Sequence, residues 1–280
     1  MLTFAFSHIA MSAKREWLIQ KSGKVATSMQ IVGTGLKLPS YWPGDSVGKD
    51  LLFPDSHTAG RQLYRFGYTL VSVTTLGSAF TTYLTSTSET SPSTLSEHSY
   101  ALFLACATAA NTASLASLVN ASPLGLMPGF EQTKEGQIQR NDAQKFIVRG
   151  LTRITRHPLI LPVVPWGIAN SILVGNRLAD WILFGGLSLY AIAGCAAQDW
   201  RVIRKEGSVG TVFEPAEGLQ EFFQSTSFIP FGAVMDGRQN LVEIAQEVPW
   251  YAMVLGSGVG YKLELAMLHF FSPVMNSVDK

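Results

Sequence analysis

The chain has 280 residues, 47% hydrophobic and only 15% charged, with a net charge of +1 and a positive mean hydropathy. Soluble domains average roughly a quarter charged residues, and the shortfall here falls in blocks, which points to a membrane protein rather than a greasy soluble one. The two cysteines, Cys106 and Cys195, both lie in apolar runs, so neither a disulfide framework nor a thiolate zinc site is implied. The sequence holds no phosphate-cradling glycine loop, HExxH or CxxC pair, and nothing in it calls for nucleic acid.

In chain order, Met1–Ala13 is apolar but spans only about 20 Å as a helix, against a hydrocarbon core of roughly 30 Å. We expect the chain to start inside a longer first helix, so the lack of a signal or transit peptide before it says nothing of compartment. "KLPSYWPGDSVGKD" (37–50) reads as a surface loop with short helices. Crossing a membrane takes about 20 apolar residues in a helix. Phe66–Ser88 and His98–Phe130 contain no Asp, Glu, Lys or Arg, although Pro123 and Pro128 are expected to end the second helix early. "TSTSETSPSTLSEHS" (85–99) is a Ser/Thr-rich connector between them. His157–Asn176 and Trp181–Gln198 are the next two apolar stretches. Pro249–Phe271 is a fifth span or an interfacial segment, interrupted by Lys262 and Glu264, whose i, i+2 spacing keeps them off one face. The expected fold is all-α: a single membrane domain over 1–280 with about five or six transmembrane helices.

Threading these spans places residues 14–65, 122–156 and 199–247 on one side. They hold 8, 6 and 4 Lys/Arg, which is 18 of the 21 in the chain. The opposite loops hold only Arg177. This asymmetry fits the positive-inside rule, with the basic side stromal or cytoplasmic. Basic residues at 140, 145, 149, 153 and 156 are spaced to put several on one helical face, suited either to lipid headgroups or to plain solvent.

Polar groups at membrane depth are functional candidates by default. His8 lies six residues before Lys14, about 9 Å inside the basic edge. It is either a haem ligand or a core histidine bonded to a neighbouring helix. His157, flanked by Arg153 and Arg156, is expected at the membrane interface. There it meets a headgroup, a polar ligand or iron, or simply precedes Pro158 at a helix start. Pro162 and Pro165 are expected to kink that early helix, and Gly167, Ala169 and Ser171 suggest a close helix contact. Asn170 is 13 residues beyond His157, about 20 Å along a straight helix and on another face. Asp180 and Asp199 bracket the next span. His57, His98 and His269 read as loop or interface residues.

Several stretches together resemble the NnrU-domain family, most nearly its plant-type zeta-carotene isomerase branch. "GLTRITRHP" (Gly150–Pro158) resembles G-x-x-R-I-T-R-H-P, and "WGIANSILVGN" (Trp166–Asn176) resembles W-x-L-A-H-x-L-x-x-G-N. "TSFIPFGAVMDGRQ" (Thr226–Gln239) is similar to T-S-x-x-P-F-A-A-x-x-D-G-R-Q. Upstream, "HIAMSAKREWLIQKSG" (His8–Gly23) and "AGRQLYR" (Ala59–Arg65) match the family's first segments, with insertions near 24–58 and 107–145. The resemblance implies an integral plastid-membrane isomerase that turns the 15-cis bond of zeta-carotene to trans with haem b, its partners being membrane lipid and the carotenoid. It implies two iron-holding histidines. His8 matches the first, Asn170 stands where the second is expected, and Gly167 stands where a cysteine is common. Haem then binds through one protein ligand, or His157 substitutes, or the site is lost. Rotation about a conjugated bond needs no net proton or hydride exchange. The alternatives are a family member that binds haem or carotenoid without turnover, and an isoprenylcysteine-type methyltransferase. The latter shares R-H-P, but its usual R-H-P-x-Y-x-G is replaced here by Leu159–Ile160–Leu161–Pro162. Its paired glutamates are also missing, with only Glu206 in the corresponding region.

Overall fold

The computed structural model describes residues 1–30, 32, 55–87, 95–120, 122–124, 130–133, 136–203 and 217–271. The expected 37–50 loop, residues 88–94 of the 85–99 connector, Pro128 and Glu206 lie outside the described residues. Those that are described are mostly helical, as an all-α chain should be, with one short antiparallel hairpin. They form two compact units, Met1–Thr81 and Thr82–Lys280.

In the first unit, α1 (Leu2–Ala13) and α2 (Arg15–Ser28) are separated only at Lys14, and α3 (Ser56–Thr87) follows. Asp55 starts α3 by accepting the Thr58 amide (2.9 Å) and hydroxyl (2.8 Å), which supplies orphan first-turn donors with a partner. The α2 and α3 backbones meet at Gly23 and Gly60. A Cβ on Gly60 would come within 3.0 Å of the Ile19 carbonyl, so only glycine permits this approach.

The second unit is built on α4 (Glu97–Ser117), capped by Ser96. After the hairpin β1 (Phe130–Gln132)–β2 (Ile138–Arg140) come 3-10 turns at Asp142–Phe146 and Gly150–Arg153, and then α5 (Val163–Leu173). One helical rod follows. It runs from α6 (Leu178–Asp180) through a π-helical turn (Trp181–Gly185) into α7 (Gly186–Ile203). The short helices α8 (Glu217–Ser225), α9 (Gly232–Met235) and α10 (Leu241–Glu247) lead to α11 (Trp250–Phe271). α4 packs against both α5 and α11, and α5 packs against α7. Gly260 lets α11 approach closely, since a Cβ there would stand 3.1 Å from Asn111 Cβ.

Three expectations are corrected. The basic residues from 140 to 156 do not share a helical face: the chain there is strand, loop and 3-10 turn, because Gly150 turns left-handed (φ +56°). The apolar stretch His157–Asn176 becomes helical at Val163, not at Pro158. Pro162 therefore stands at the helix N-cap and Pro165 in the first turn, where a missing N–H costs nothing and no kink follows. α4 stops at Ser117, before Pro123 is reached.

Among the described residues one helix, Leu178–Ile203, is long and apolar enough to cross a membrane, and Leu2–Ala13 and Val163–Leu173 are shorter apolar helices. Large apolar side chains are exposed along α3 (Phe66, Leu70, Val73), α7 (Leu189, Ile192) and α11 (Val254, Leu255, Leu263, Phe270). Polar ones are buried within the units: His8, Asn170, Asp180, Asp199 and Glu264.

Candidate functional site

Two of the segments that carry the resemblance, Gly150–Pro158 and Thr226–Gln239, meet in the second unit. Arg153–His157 cannot bond to itself as a helix, and its backbone instead meets Ser227–Phe231. The Arg156 amide donates to the Ser227 carbonyl (2.9 Å), the Phe231 amide to the Ile154 carbonyl (2.8 Å), and the Thr155 hydroxyl to the Phe228 carbonyl (2.9 Å). Arg238 donates to the Gln224 and Thr226 carbonyls, and Gln239 to the Ser225 carbonyl. Arg153 joins this to α10. Its Nε and one terminal nitrogen each donate to Glu247 at 2.8 Å, and the other terminal nitrogen reaches Gln239 (2.6 Å) and Glu243 (2.8 Å). Glu247 also accepts the Gly150 amide at 2.9 Å. The paired Arg153 guanidinium holds the Glu247 carboxyl below its ordinary range.

His157 is buried beneath this assembly. Its Nε2 lies 2.7 Å from Asp199 Oδ1, and the ring stands edge-on to Phe228. Arg156 reaches the other Asp199 oxygen at 3.4 Å and lies over the Phe223 ring, while its burial pushes the guanidinium below its ordinary value. Asp199 is thus shared by both members of the R-H-P element. At the opposite end of the same helical rod, fully buried Asp180 is held by Arg177 (3.0 Å) and by the Tyr83 hydroxyl (2.7 Å).

Asn170 lies elsewhere, fully buried where α5 meets α11. Its Nδ2 donates to the Trp166 carbonyl (3.0 Å), and its side chain adjoins the Glu264 carboxyl. Glu264 Oε2 accepts from Trp166 Nε1 and from Asn111 Nδ2, each at 2.9 Å. Glu264 is inward and Lys262 outward, as their spacing requires. Beside this cluster an apolar groove of about 650 Å³ runs between α4 and α11, lined by Leu104, Thr108, Thr112, Trp250, Val254 and Tyr261 among others. That volume is typical of small-molecule sites.

His8 belongs to the first unit. There Nδ1 faces the Phe4 carbonyl (3.1 Å), Nε2 faces the Ser72 hydroxyl (2.5 Å), and Tyr68 stands edge-on at 4.6 Å. His57 and His98 are exposed at the starts of α3 and α4, and His269 is exposed near the end of α11.

The residues the sequence singles out therefore do not form one site. His157 belongs to Asp199, Asn170 to Glu264, and His8 to Ser72. Nor do they fit haem iron as arranged. Nε2 of each histidine is engaged by a protein oxygen, and the Asn170 amide is a weak ligand bound into helix contacts. Position 167 is closed as well: a Cβ there would come within 3.0 Å of both Ser188 Oγ and the Phe184 carbonyl. The sequence reading missed Glu264 as a site residue. It took the acid for an interruption of a span, whereas a lone acid inside an apolar helix is itself the signal.

Two curated relatives are similar to part of the chain. "15-cis-zeta-carotene isomerase, chloroplastic" of Zea mays is 33% identical over 92 residues, 33% of this chain and 22% of the relative. The protein of the same name from Arabidopsis thaliana is 32% identical over 94 residues, 34% of this chain and 23% of the relative. The alignments thus span less than a quarter of either relative's length. No solved structure matches the chain. The family model described as "NnrU protein" matches residues 55–273, and the chain belongs to that family.

Proposed function

We propose that this chain is a polytopic protein of a plastid membrane, with about five or six spans, that binds 15-cis-zeta-carotene and turns its central double bond to trans. The observation that carries the reading is the apolar groove between α4 and α11 in a chain similar to two chloroplast proteins of that name. A long hydrocarbon gains affinity from buried apolar area and needs few polar contacts. Thr108, Thr112 and Tyr261 are the polar fittings among the named lining residues, and Trp250 at the start of α11 stands at one end of the helix that bounds the groove. The inverted surface supports the membrane part: apolar residues face out along the helices and acids face in. The basic segments then lie on the stromal or cytoplasmic side.

The second reading is polyene binding without turnover. It is favoured by the engaged imidazoles and by the closed α5 face at Gly167 and Asn170, which leave haem b no ligand set as arranged. Expression in bacteria that accumulate tri-cis zeta-carotene separates the two. Turnover yields the di-cis form in extracts, whereas binding alone leaves the tri-cis form, co-purifying with the protein. Neither conversion nor co-purification would refute both readings. A Soret band that survives in wild type and vanishes in His8→Ala would show that His8 leaves Ser72 to hold iron.

A further inference from the structure

Glu264 is fully buried in the C-terminal half of α11, against α4 and α5. Asn111 Nδ2 and Trp166 Nε1 both donate to Oε2, the Asn170 amide also adjoins the carboxyl, and Oε1 is buried without a partner at hydrogen-bond distance. The adjoining Asn170 has the same defect: its Nδ2 serves the Trp166 carbonyl and its Oδ1 is buried without a partner. Two neighbouring acceptors thus lack a donor in the same pocket. Rotating the Asn170 amide does not help, because Oδ1 would then face the Trp166 carbonyl, acceptor against acceptor.

No cation relieves Glu264 among the described residues. On α11, Lys262 points outward and Tyr261 is a neutral phenol. On α4 the titratable neighbour is Tyr100, another phenol. α5 contributes only the Trp166 indole and the Asn170 amide. An ionised carboxylate buried among neutral donors alone, with no cation beside it, is uncompensated. A single proton removes the charge and supplies the missing donor.

We propose that Glu264 is a proton-binding site, carried as a neutral carboxylic acid whose Oε1–H donates to Asn170 Oδ1. One hydrogen bond satisfies both orphan oxygens and ties α11 to α5, while Asn111 and Trp166 hold the other oxygen from α4 and α5. The site is distinct from the carotenoid groove and does not depend on turnover there.

Infrared spectra of the purified full chain in detergent test this at neutral pH. We expect a protonated-carboxyl carbonyl band that is absent in Glu264→Gln and moves to higher wavenumber in Asn170→Leu, which removes the acceptor. Because the introduced amide offers an N–H in place of the O–H, Glu264→Gln should melt close to wild type. Mapping of dicyclohexylcarbodiimide adducts, which form on protonated carboxyls in apolar surroundings, provides a readout on wild type alone and should place an adduct on Glu264. If the substitution instead removes a carboxylate band and no adduct forms on Glu264, the residue is ionised and the proposal is overturned. The same holds if the protonated band is unchanged in both variants.

Discussion

Replacing Gly167 by alanine tests whether the α5 face is a packed helix contact rather than an open ligand site. The added Cβ would come within 3.0 Å of Ser188 Oγ and of the Phe184 carbonyl oxygen, and 3.2 Å from the Phe184 carbonyl carbon. The hydroxyl can rotate away, but it then gives up its bond to the Val164 carbonyl (3.0 Å), at about 1 kcal/mol. The Phe184 carbonyl is backbone and yields only if the helices separate. Overpacking of this kind costs about 1–3 kcal/mol, against which alanine recovers roughly 1 kcal/mol of helix propensity. The expected net loss is about 2 kcal/mol, or roughly 4–8 °C in melting temperature for a domain of this size. Gly194→Ala is the control. It lies inside α7 with nothing within 4 Å of its virtual Cβ, so it should gain about 0.5–1 kcal/mol. Tryptophan-fluorescence melting of both variants in detergent reads the difference. Gly167→Ala melting at or above wild type would refute the packing argument, and with it the claim that a side chain at 167 has no room.

Two further outcomes follow from the polar assembly around the R-H-P element. Asp199→Leu should lower stability by about 3 kcal/mol, because it strands Arg156 and His157 beneath Phe223 and Phe228. Asp199→Asn, which keeps a side-chain partner for His157, should lose less, and equal losses in the same melting assay would count against the pairing. Glu247 gives a pH dependence. Its carboxyl sits below the unfolded value of about 4.3 because Arg153 pairs with it. Its contribution is therefore fully present above that value and is lost as pH falls through the lower folded value. With the pair partly exposed, the effect is about 1 kcal/mol. Melting curves taken from neutral pH down to about pH 3 should fall less steeply in Glu247→Gln than in wild type, and parallel curves would contradict the assignment.

The helices that were legible in the sequence are those whose signal is local. The charge-free run Phe66–Ser88 lies almost wholly within α3. Trp181–Gln198 lies inside the Leu178–Ile203 rod, and Pro249–Phe271 nearly coincides with α11. The last continues through Lys262 and Glu264 because two positions along a helix turn the side chains about 200° apart. The R-H-P segment was misread because what holds it is not local. Arg156 and Thr155 bond to residues about 70 positions away, and no periodicity within 140–162 encodes that pairing. Glu264 differs: the lone acid in an apolar helix is a local signal, but its donors Asn111 and Trp166, 153 and 98 residues distant, are not.

Asn170 shows how far one residue's identity carries and where the fold takes over. Its position opposite an expected imidazole comes from the resemblance, but its consequence comes from its neighbours. With Gly167 closed by Phe184 and Ser188, and Ser171 bonded to the Gly167 carbonyl, the whole turn of α5 is committed to helix contacts. An amide there serves the helix contact: Nδ2 caps the Trp166 carbonyl, the side chain adjoins the one acid on α11, and in the proposal above Oδ1 is the acceptor for that acid's proton. A histidine at 170 would lie beside Glu264, an acid able to fix which ring nitrogen carries the proton. Glu264 and residue 170 therefore act as a pair, and the chemistry this face of α5 can perform is set by both.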